Sequence, residues 1–471
     1  MRSIVWFRRD LRVADNSALY HASKNSKDGI IAVFAITAAQ WTEHHDANCK
    51  VRFWLDNLRS LSQSLTKLNI PLLVPVVDTF MESVDAVMKI ADEHHVRAIY
   101  LNRGYEVNES GRDAELQQRC QATEIEFNSF HDRVIVPPRE ISTKDGRFYS
   151  VFTPYRKVWD TRASEYAQPL PKPKKQTAVD IAADSLPDVV AGFDLIDFRD
   201  DLWPAGEAEA AKRIKSFAKV IRGYDENRDL PSVRGTSLLS PYLAAGVVSP
   251  RQCLAAATEI NGGKNSDGAG PTIWISELTW RDFYTHVLIG FPRVSMHMPF
   301  KPKTNAINWR NDESDFDAWK NGQTGYPIVD AGMRQLNQTG WMHNRLRMVT
   351  AMFLSKHLLI DWKMGEQYFM QKLIDGDLAA NNGGWQWSAS TGTDAVPYFR
   401  IFNPFSQSKR FDTEGEYIKK FCPELVNVPA KALHDAAKLT AALEKFDADY
   451  PKFVVDHKQA RERVLTEFKS I

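Results

Sequence analysis

The sequence predicts an α/β domain with a doubly wound parallel sheet at the amino end, joined by a long linker to an all-α domain. Three observations predict it. Short β-branched runs alternate with helical periodicity across the first 130 residues, as in sheets buried on both faces by crossover helices. Pro169, Pro171, Pro173 and Pro187, with Lys172, Lys174 and Lys175 among them and few large apolar residues, mark extended chain. From about position 207 strand patterns largely stop, and helical periodicity with Gly and Pro turns takes over. The expected division is 1–131, 132–204 and 205–471, since one hydrophobic core rarely grows to 471 residues.

In the first part, 3–7, 30–36, 71–77 and 98–101 read as buried strands. Thr79 and Glu82 form a T-x-x-E capping box that opens a helix towards His94. There is no G-x-G-x-x-G and no Walker A loop, so an ordinary dinucleotide or NTP site is not supported. A parallel sheet still binds ligands at the carboxyl ends of its strands, and 102–114 follows such an end. There Asn108 and Glu109 either face a ligand or simply start a solvated helix.

Composition bounds the partners. The hydrophobic fraction of 43% and charged fraction of 25% suit a globular chain, and 60 basic residues against 59 acidic ones signal neither nucleic acid nor membrane. Locally the balance differs: 105–130 holds six acids and two bases, whereas 293–363 holds ten bases and six acids, so a nucleic-acid face belongs in the later half. Cys49, Cys120, Cys253 and Cys422 show no metal or disulfide spacing and read as reduced thiols. Arg8, Arg9 and Asp10 interrupt any signal-peptide core, and no apolar run approaches ~20 residues. A cytoplasmic monomer without a membrane partner or a metal is expected.

In the helical part, Gly235 precedes Thr236, Ser237 and Ser240 at a helix start, where small hydroxyls and free N–H groups suit a phosphate or merely cap the helix. Glu277, Arg281 and Tyr284 fall at helical spacing beside Trp274 and Trp280. Trp280 and Trp387 either stack on a base or belong to an ordinary core. Asn344 and Met348, four apart, share a helix face, with Arg345 and Arg347 turned elsewhere. Trp309, Trp362 and Trp385 are too far apart for local spacing to relate them. Asp375 and Asp377 flank Gly376 ahead of Asn381, Asn382, Gly383 and Gly384, read here as a loop able to hold a sugar, a basic group or a heteroaromatic ring better than a metal. Across 325–400, Trp, Arg, Asn, Asp and Gly are denser than a core requires.

These stretches together resemble the photolyase/cryptochrome family, most closely its class I cyclobutane pyrimidine dimer photolyases. The likeness rests on VWFRRDLRVADN at 5–16, YEVNE at 105–109, 224–240, GYPIVDAGMR at 325–334, GWMHNRLR at 340–347 and GWQWSASTGTDAVPYFRIFNP at 384–404. It implies that the helical domain binds FAD and that the α/β domain carries an antenna chromophore. Tyr224, Thr236, Ser237, Leu238, Leu239 and Ser240 would hold the diphosphate region and Trp274 would line the pocket. Asp375, Gly376, Asp377 and Arg347 would surround the isoalloxazine, with Asn381 near N5, where plant cryptochromes place a proton-donating Asp. The implied substrate is DNA containing cyclobutane pyrimidine dimers, split by an electron from light-excited reduced FAD, with the lesion extruded from the duplex.

Glu277, Asn344, Met348, Trp280 and Trp387 would meet the dimer; Arg228, Arg281, Tyr284, Arg345, Arg400 and Gln407 would hold the strand, mainly at phosphates. Trp385, Trp362 and Trp309 would conduct electrons to oxidised FAD. Glu277 is expected to be protonated over the lesion, because a carboxylate would repel a radical anion. Tyr105, Asn108 and Glu109 match a loop for 5,10-methenyltetrahydrofolate. Ser295 and Met296 stand where relatives can carry a Cys-Lys pair near the folate tail, and a deazaflavin is the alternative antenna. A (6-4) photolyase would show His in the lesion pocket. A cryptochrome, the alternative function, usually has a longer C-terminal extension than a chain ending at 471 or an altered lesion pocket.

Overall fold

The computed structural model describes residues 1–196, 198–260 and 269–470. Among the described residues seven strands form: β1 Ser3–Trp6, β2 Ile30–Val33, β3 Ile36–Thr37, β4 Leu72–Leu73, β5 Val76–Val77, β6 Ala98–Asn102 and β7 Glu126–Phe130. Five make a sheet in the order β4-β2-β1-β6-β7, every pair parallel, with Ser3 opposite both Ile30 and Ala98. β1, β2 and β6 are buried along their whole length, as their continuous apolar runs predict. The expected strands 30–36 and 71–77 each break in two, and β3 pairs with β5 in a separate ribbon. Pro75 lies at the second break, where a residue without an N–H cannot extend the ladder. β7 was not expected. Its EFNSF sequence is exposed to half-buried along an edge and carries no apolar run.

The helix Phe80–Glu93 opens on the predicted box: Thr79 accepts from the Glu82 N–H, and the Glu82 carboxylate accepts from the Thr79 N–H. Val84 and Val87 of this helix and Leu116 of Val107–Ala122 join Ile4, Trp6, Ile31, Val33, Ile99 and Leu101 in one core. Cys120, Cys253 and Cys422 are buried free thiols, and Cys49 is half-buried.

Contacts group the chain into two units. The first comprises Met1–Arg222, Ser237–Ser295 and Ile374–Asp377; the second comprises Gly223–Thr236, Met296–Leu373 and Leu378–Ile471. Within the first, helix Phe152–Tyr166 forms inside the stretch read as linker and packs on helix Ala269–Gly290. There Asp282 accepts from the Ile135 and Val136 N–H groups and from Trp159 Nε1 at 2.9–3.2 Å, anchoring 134–136. A buried ion cluster ties the N-terminal run to distant chain: Asp132 takes Arg12 and, at 2.8 Å, Arg251, which also reaches Asp15 at 3.0 Å. Gly246, at φ +67°, lets this crossing close, since a Cβ there would lie 2.0 Å from the Arg9 carbonyl oxygen.

The second unit contains helices and no strand among the described residues. Its core gathers Trp319, Trp362, Phe369, Trp385, Leu354, Val349 and Tyr417. Here one expectation is corrected: Asn381, Asn382, Gly383 and Gly384 lie in helix Leu378–Ala389, not in a loop. Each glycine costs about 1 kcal/mol relative to Ala in a helix. Burial of the Trp385 ring, worth roughly 4 kcal/mol at ~25 cal/mol/Å², outweighs this. No helix among the described residues is long and apolar enough to cross a membrane.

Candidate functional site

In the first unit a cavity opens at the carboxyl ends of the strands. Trp6, Arg8 and Arg9 line it from the end of β1, Phe34 from the end of β2, Thr37 from the end of β3, and Asn102 and Gly104 from the end of β6. Chain order reverses between β1 and β6, the crevice where open parallel sheets bind ligands. Of the residues expected at an antenna, Glu109 lines this cavity. Tyr105 is buried with its hydroxyl 2.9 Å from His131, and Asn108 lies 2.9 Å from His44 Nε2. Ser295 Oγ accepts the Val107 N–H at 3.1 Å, so it seats the start of that helix.

A charged network that no local pattern announced surrounds Glu109. Glu106 receives both arms of Arg133 (3.0 and 3.1 Å) and Arg9 at 2.9 Å; Arg9 also lies 3.7 Å from Glu109. Burial and the neighbouring Glu106 push the Glu109 carboxyl up to about 7, against Arg9 and Arg112, and its Oε2 has no protein partner. Burial would also raise Glu106, but Arg133 and Arg9 hold it well below the usual range. Asp377 joins the same network, 2.7 Å from Arg133 and 3.7 Å from Arg9. Asp375 and Gly376 belong to the same short segment. Arg9 and Glu106 are 97 positions apart, Arg133 and Asp377 244, and even Glu106 and Arg133 are 27 apart, which is why spacing alone missed Arg9, Glu106 and Arg133.

Helix Ala269–Gly290 presents Glu277, Trp280, Arg281 and Tyr284 as half-buried residues of one face, between buried Leu278, Thr279 and Phe283. Trp280 stacks on Phe152, centroids 3.7 Å apart and planes within 6°. Arg281 turns inward and donates to the Arg133 carbonyl. Trp274 is buried against Phe217 at 5.0 Å. Ser237, Leu238 and Leu239 precede a helix of five residues, Ser240–Ala244; Leu238 adopts φ +52°, uncommon without glycine.

In the second unit, helix Asn344–Met352 begins at His343, whose Nδ1 accepts the Arg345 N–H. Burial lowers His343 to about 4, which keeps the ring neutral as that acceptor. Asn344 is exposed and Met348 half-buried one turn later. Arg347 donates to the Met342 carbonyl at 2.9 Å. Arg345 pairs with Asp229 at 2.7 Å and lies over Phe411, and Arg228 lies over Tyr224 at 5.6 Å. Thr236 belongs to this unit and Ser237 to the first.

Trp385 and Trp362 are each 2% exposed in the core, and Trp309 is a partly buried ring packed against it. Gly365 makes room for Trp385: a Cβ there would fall 2.1 Å from Cη2. Trp387 is half-buried, Arg400 exposed, and Gln407 lies on helix Pro404–Phe411. Lys356, buried in the π-helical segment Phe353–Leu358, donates to Ser390 Oγ and to the Tyr398 and Arg400 carbonyls at 2.9–3.3 Å, fixing the backbone that carries Arg400. Asn381 donates to Glu366, another partner that spacing could not show. Among the described residues no cluster of His, Cys, Asp and Glu is placed to hold a metal ion.

Comparison with known proteins covers both ends of the chain. Residues 3–174 match the DNA photolyase family and residues 274–470 the FAD binding domain of DNA photolyase. The chain is 43% identical over 469 residues to the deoxyribodipyrimidine photo-lyase of Escherichia coli (strain K12), covering 99% of this chain and 98% of that one. Among solved structures it is similar to the archaeal photolyase from Sulfolobus tokodaii with two FAD molecules (TM-score 0.81, 30% identity, 100% of both chains). It is also similar to the Synechocystis sp. PCC6803 cryptochrome (TM-score 0.87, 27% identity, 99% of both chains).

Proposed function

Because the chain belongs to the DNA photolyase family, we propose that it acts as a deoxyribodipyrimidine photo-lyase, splitting cyclobutane pyrimidine dimers in DNA under light. The observation that carries this is the end-to-end match to the Escherichia coli enzyme. FAD fits the residues present. Asn382 Nδ2 and Trp385 Nε1 are buried without protein partners, donors that a polar ring edge would satisfy, and Asp377 and Asn381 are held in place by their neighbours. When bound and reduced, FAD supplies the light-excited electron that opens the cyclobutane ring and takes it back.

The chain's own residues bind and orient. Tyr224, Thr236, Ser237, Leu238, Leu239 and Ser240 hold the diphosphate region, Trp274 lines the pocket, and Arg347, Asp375, Gly376, Asp377 and Asn381 surround the ring system. Glu277 hydrogen-bonds the dimer, with Asn344 and Met348 against it and Trp280 and Trp387 packed beside it. The stack of Trp280 on Phe152 supports this by holding the indole rigid at a half-exposed face. Arg228, Arg281, Tyr284, Arg345, Arg400 and Gln407 steady the strand. Arg400 is the one of these guanidinium groups most open to water, while Arg345 and Arg281 already have internal partners. Trp309, Trp362 and Trp385 carry electrons from the surface, in keeping with a partly buried Trp309 packed against the core that holds the other two.

The cavity with Tyr105, Asn108 and Glu109 around it takes the antenna, a planar heterocycle such as 5,10-methenyltetrahydrofolate or a deazaflavin. Mass spectrometry of the released chromophores distinguishes them. The decisive experiment is repair of an oligonucleotide with one thymine dimer under blue light: restored thymines are expected, and no repair by protein carrying reduced FAD overturns the reading. That negative result would favour a light-signalling role, the reading that likeness to the cryptochrome keeps open.

A further inference from the structure

The reading above puts the Asn381 side chain beside the flavin, and the second unit restricts how that amide can face. Nδ2 donates to the Glu366 backbone carbonyl at 2.9 Å and to Glu366 Oε1 at 3.2 Å. Both partners are acceptors, so a flipped amide would set oxygen against oxygen twice. Oδ1 is therefore the end turned to a ligand.

Behind the amide, the Glu366 side chain is 1% exposed, and its second oxygen, Oε2, lies 3.2 Å from Nδ1 of His297. The His297 side chain is 50% exposed, on a residue at φ +55°. A solvent-facing imidazole thus pairs with a carboxylate removed from water. Lys363, on the same helix as Glu366, bears on His297 and opposes its protonation. Helix Leu378–Ala389 brings no ionisable side chain to this point. The segment Phe353–Leu358 brings Lys356 and His357, whose side-chain bonds go to Ser390 and to the Tyr398 and Arg400 carbonyls, and to His457.

We propose that His297 and Glu366 form a solvent-gated charge couple behind Asn381, through which proton uptake at His297 tunes the reduction potential of the bound flavin. Both are positioning residues, and the inference rests on Asn381 facing the flavin. The hydrogen bond to Glu366 holds the His297 pKa above its ordinary value of 6.5, against burial. Below that pKa the couple is a neutral ion pair. Above it one negative charge remains, and adding an electron nearby becomes harder. The potential therefore falls as pH rises through the His297 titration, in addition to the slope from the flavin's own protons.

The test is a spectroelectrochemical titration of the bound FAD against pH, with dye mediators, in the FAD-loaded protein. The wild type should show the additional fall, at least roughly threefold in the reduction equilibrium, or about 28 mV for one electron. His297→Gln should lack it, His297→Lys should hold the low-pH potential to higher pH, and Glu366→Gln should raise the potential throughout. Parallel pH profiles for wild type and His297→Gln overturn the couple. Asn381→Ala separates the premise: if it leaves the potential and the flavin spectrum unchanged, Asn381 does not face the flavin and the inference falls with it. If Asn381→Ala shifts both and the His297 variants shift neither, the couple alone is wrong.

Discussion

Around the strand ends of the first unit, charge is buried against charge: Arg9, Glu106, Arg133 and Asp377 in one network, and Arg12, Asp132, Arg251 and Asp15 in another. In the second unit, the surroundings of Trp385 are rings and aliphatic chains, with Phe369 edge-on at 4.9 Å and Trp319 at 5.9 Å. The difference concerns how position is fixed. Ion pairs hold side chains by direction and leave a costly orphan when one partner goes. Packed rings hold one another by volume and tolerate a lost polar atom better than an added methyl group.

The largest effect should come from orphaning buried charge. Asp132→Ala leaves Arg12 and Arg251 without their shared carboxylate and should cost about 3–5 kcal/mol in urea unfolding. A loss under ~1 kcal/mol would mean that water replaces the carboxylate. The pH dependence follows. Burial would raise the Asp132 carboxyl, but Arg12 and Arg251 lower it to about 2 from an ordinary 3.8, so the unfolded chain takes up the proton first as pH falls. The stabilisation is complete above pH 3.8 and lost as pH falls towards about 2, so wild type and variant should converge there.

Adding a methyl group to the ring-packed region should cost less. Gly365→Ala places a Cβ 2.1 Å from Trp385 and 2.5 Å from Leu354 Cδ2, and overpacking of this kind costs about 1–3 kcal/mol. Photoreduction of bound FAD should slow with it, since Trp385 must move. An unchanged rate with reduced stability would take Trp385 out of the electron path. The smallest effect is expected at the half-exposed face of the first unit: Glu277→Gln should keep most repair yield if Glu277 acts as a neutral acid over the lesion. A loss as deep as that of Glu277→Ala would assign it a carboxylate role.

Local features were legible. The Thr79 and Glu82 box, the buried runs of β1, β2 and β6 and the shared face of Glu277, Arg281 and Tyr284 all depend on residues within a few positions of one another. β7 escaped because its edge position lets polar residues stand in a strand. The helix through Gly383 and Gly384 escaped because packing around Trp385 overrides their weak propensity. The pairing of Arg345 with Asp229, far upstream in the chain, was not legible, because no spacing relates the two.

By itself, then, the sequence determined the parallel α/β part, the helical remainder and the set of chemically capable side chains, because periodicity, caps and residue type act over short distances. The tertiary structure alone decided which capable groups are engaged and which way they face: Arg133 across Glu106 and Asp377, Lys356 beneath Arg400, and Glu366 turning the Asn381 amide. Such pairings join positions that spacing cannot relate. Their energy comes from removing both partners from water at once, which only the folded chain does.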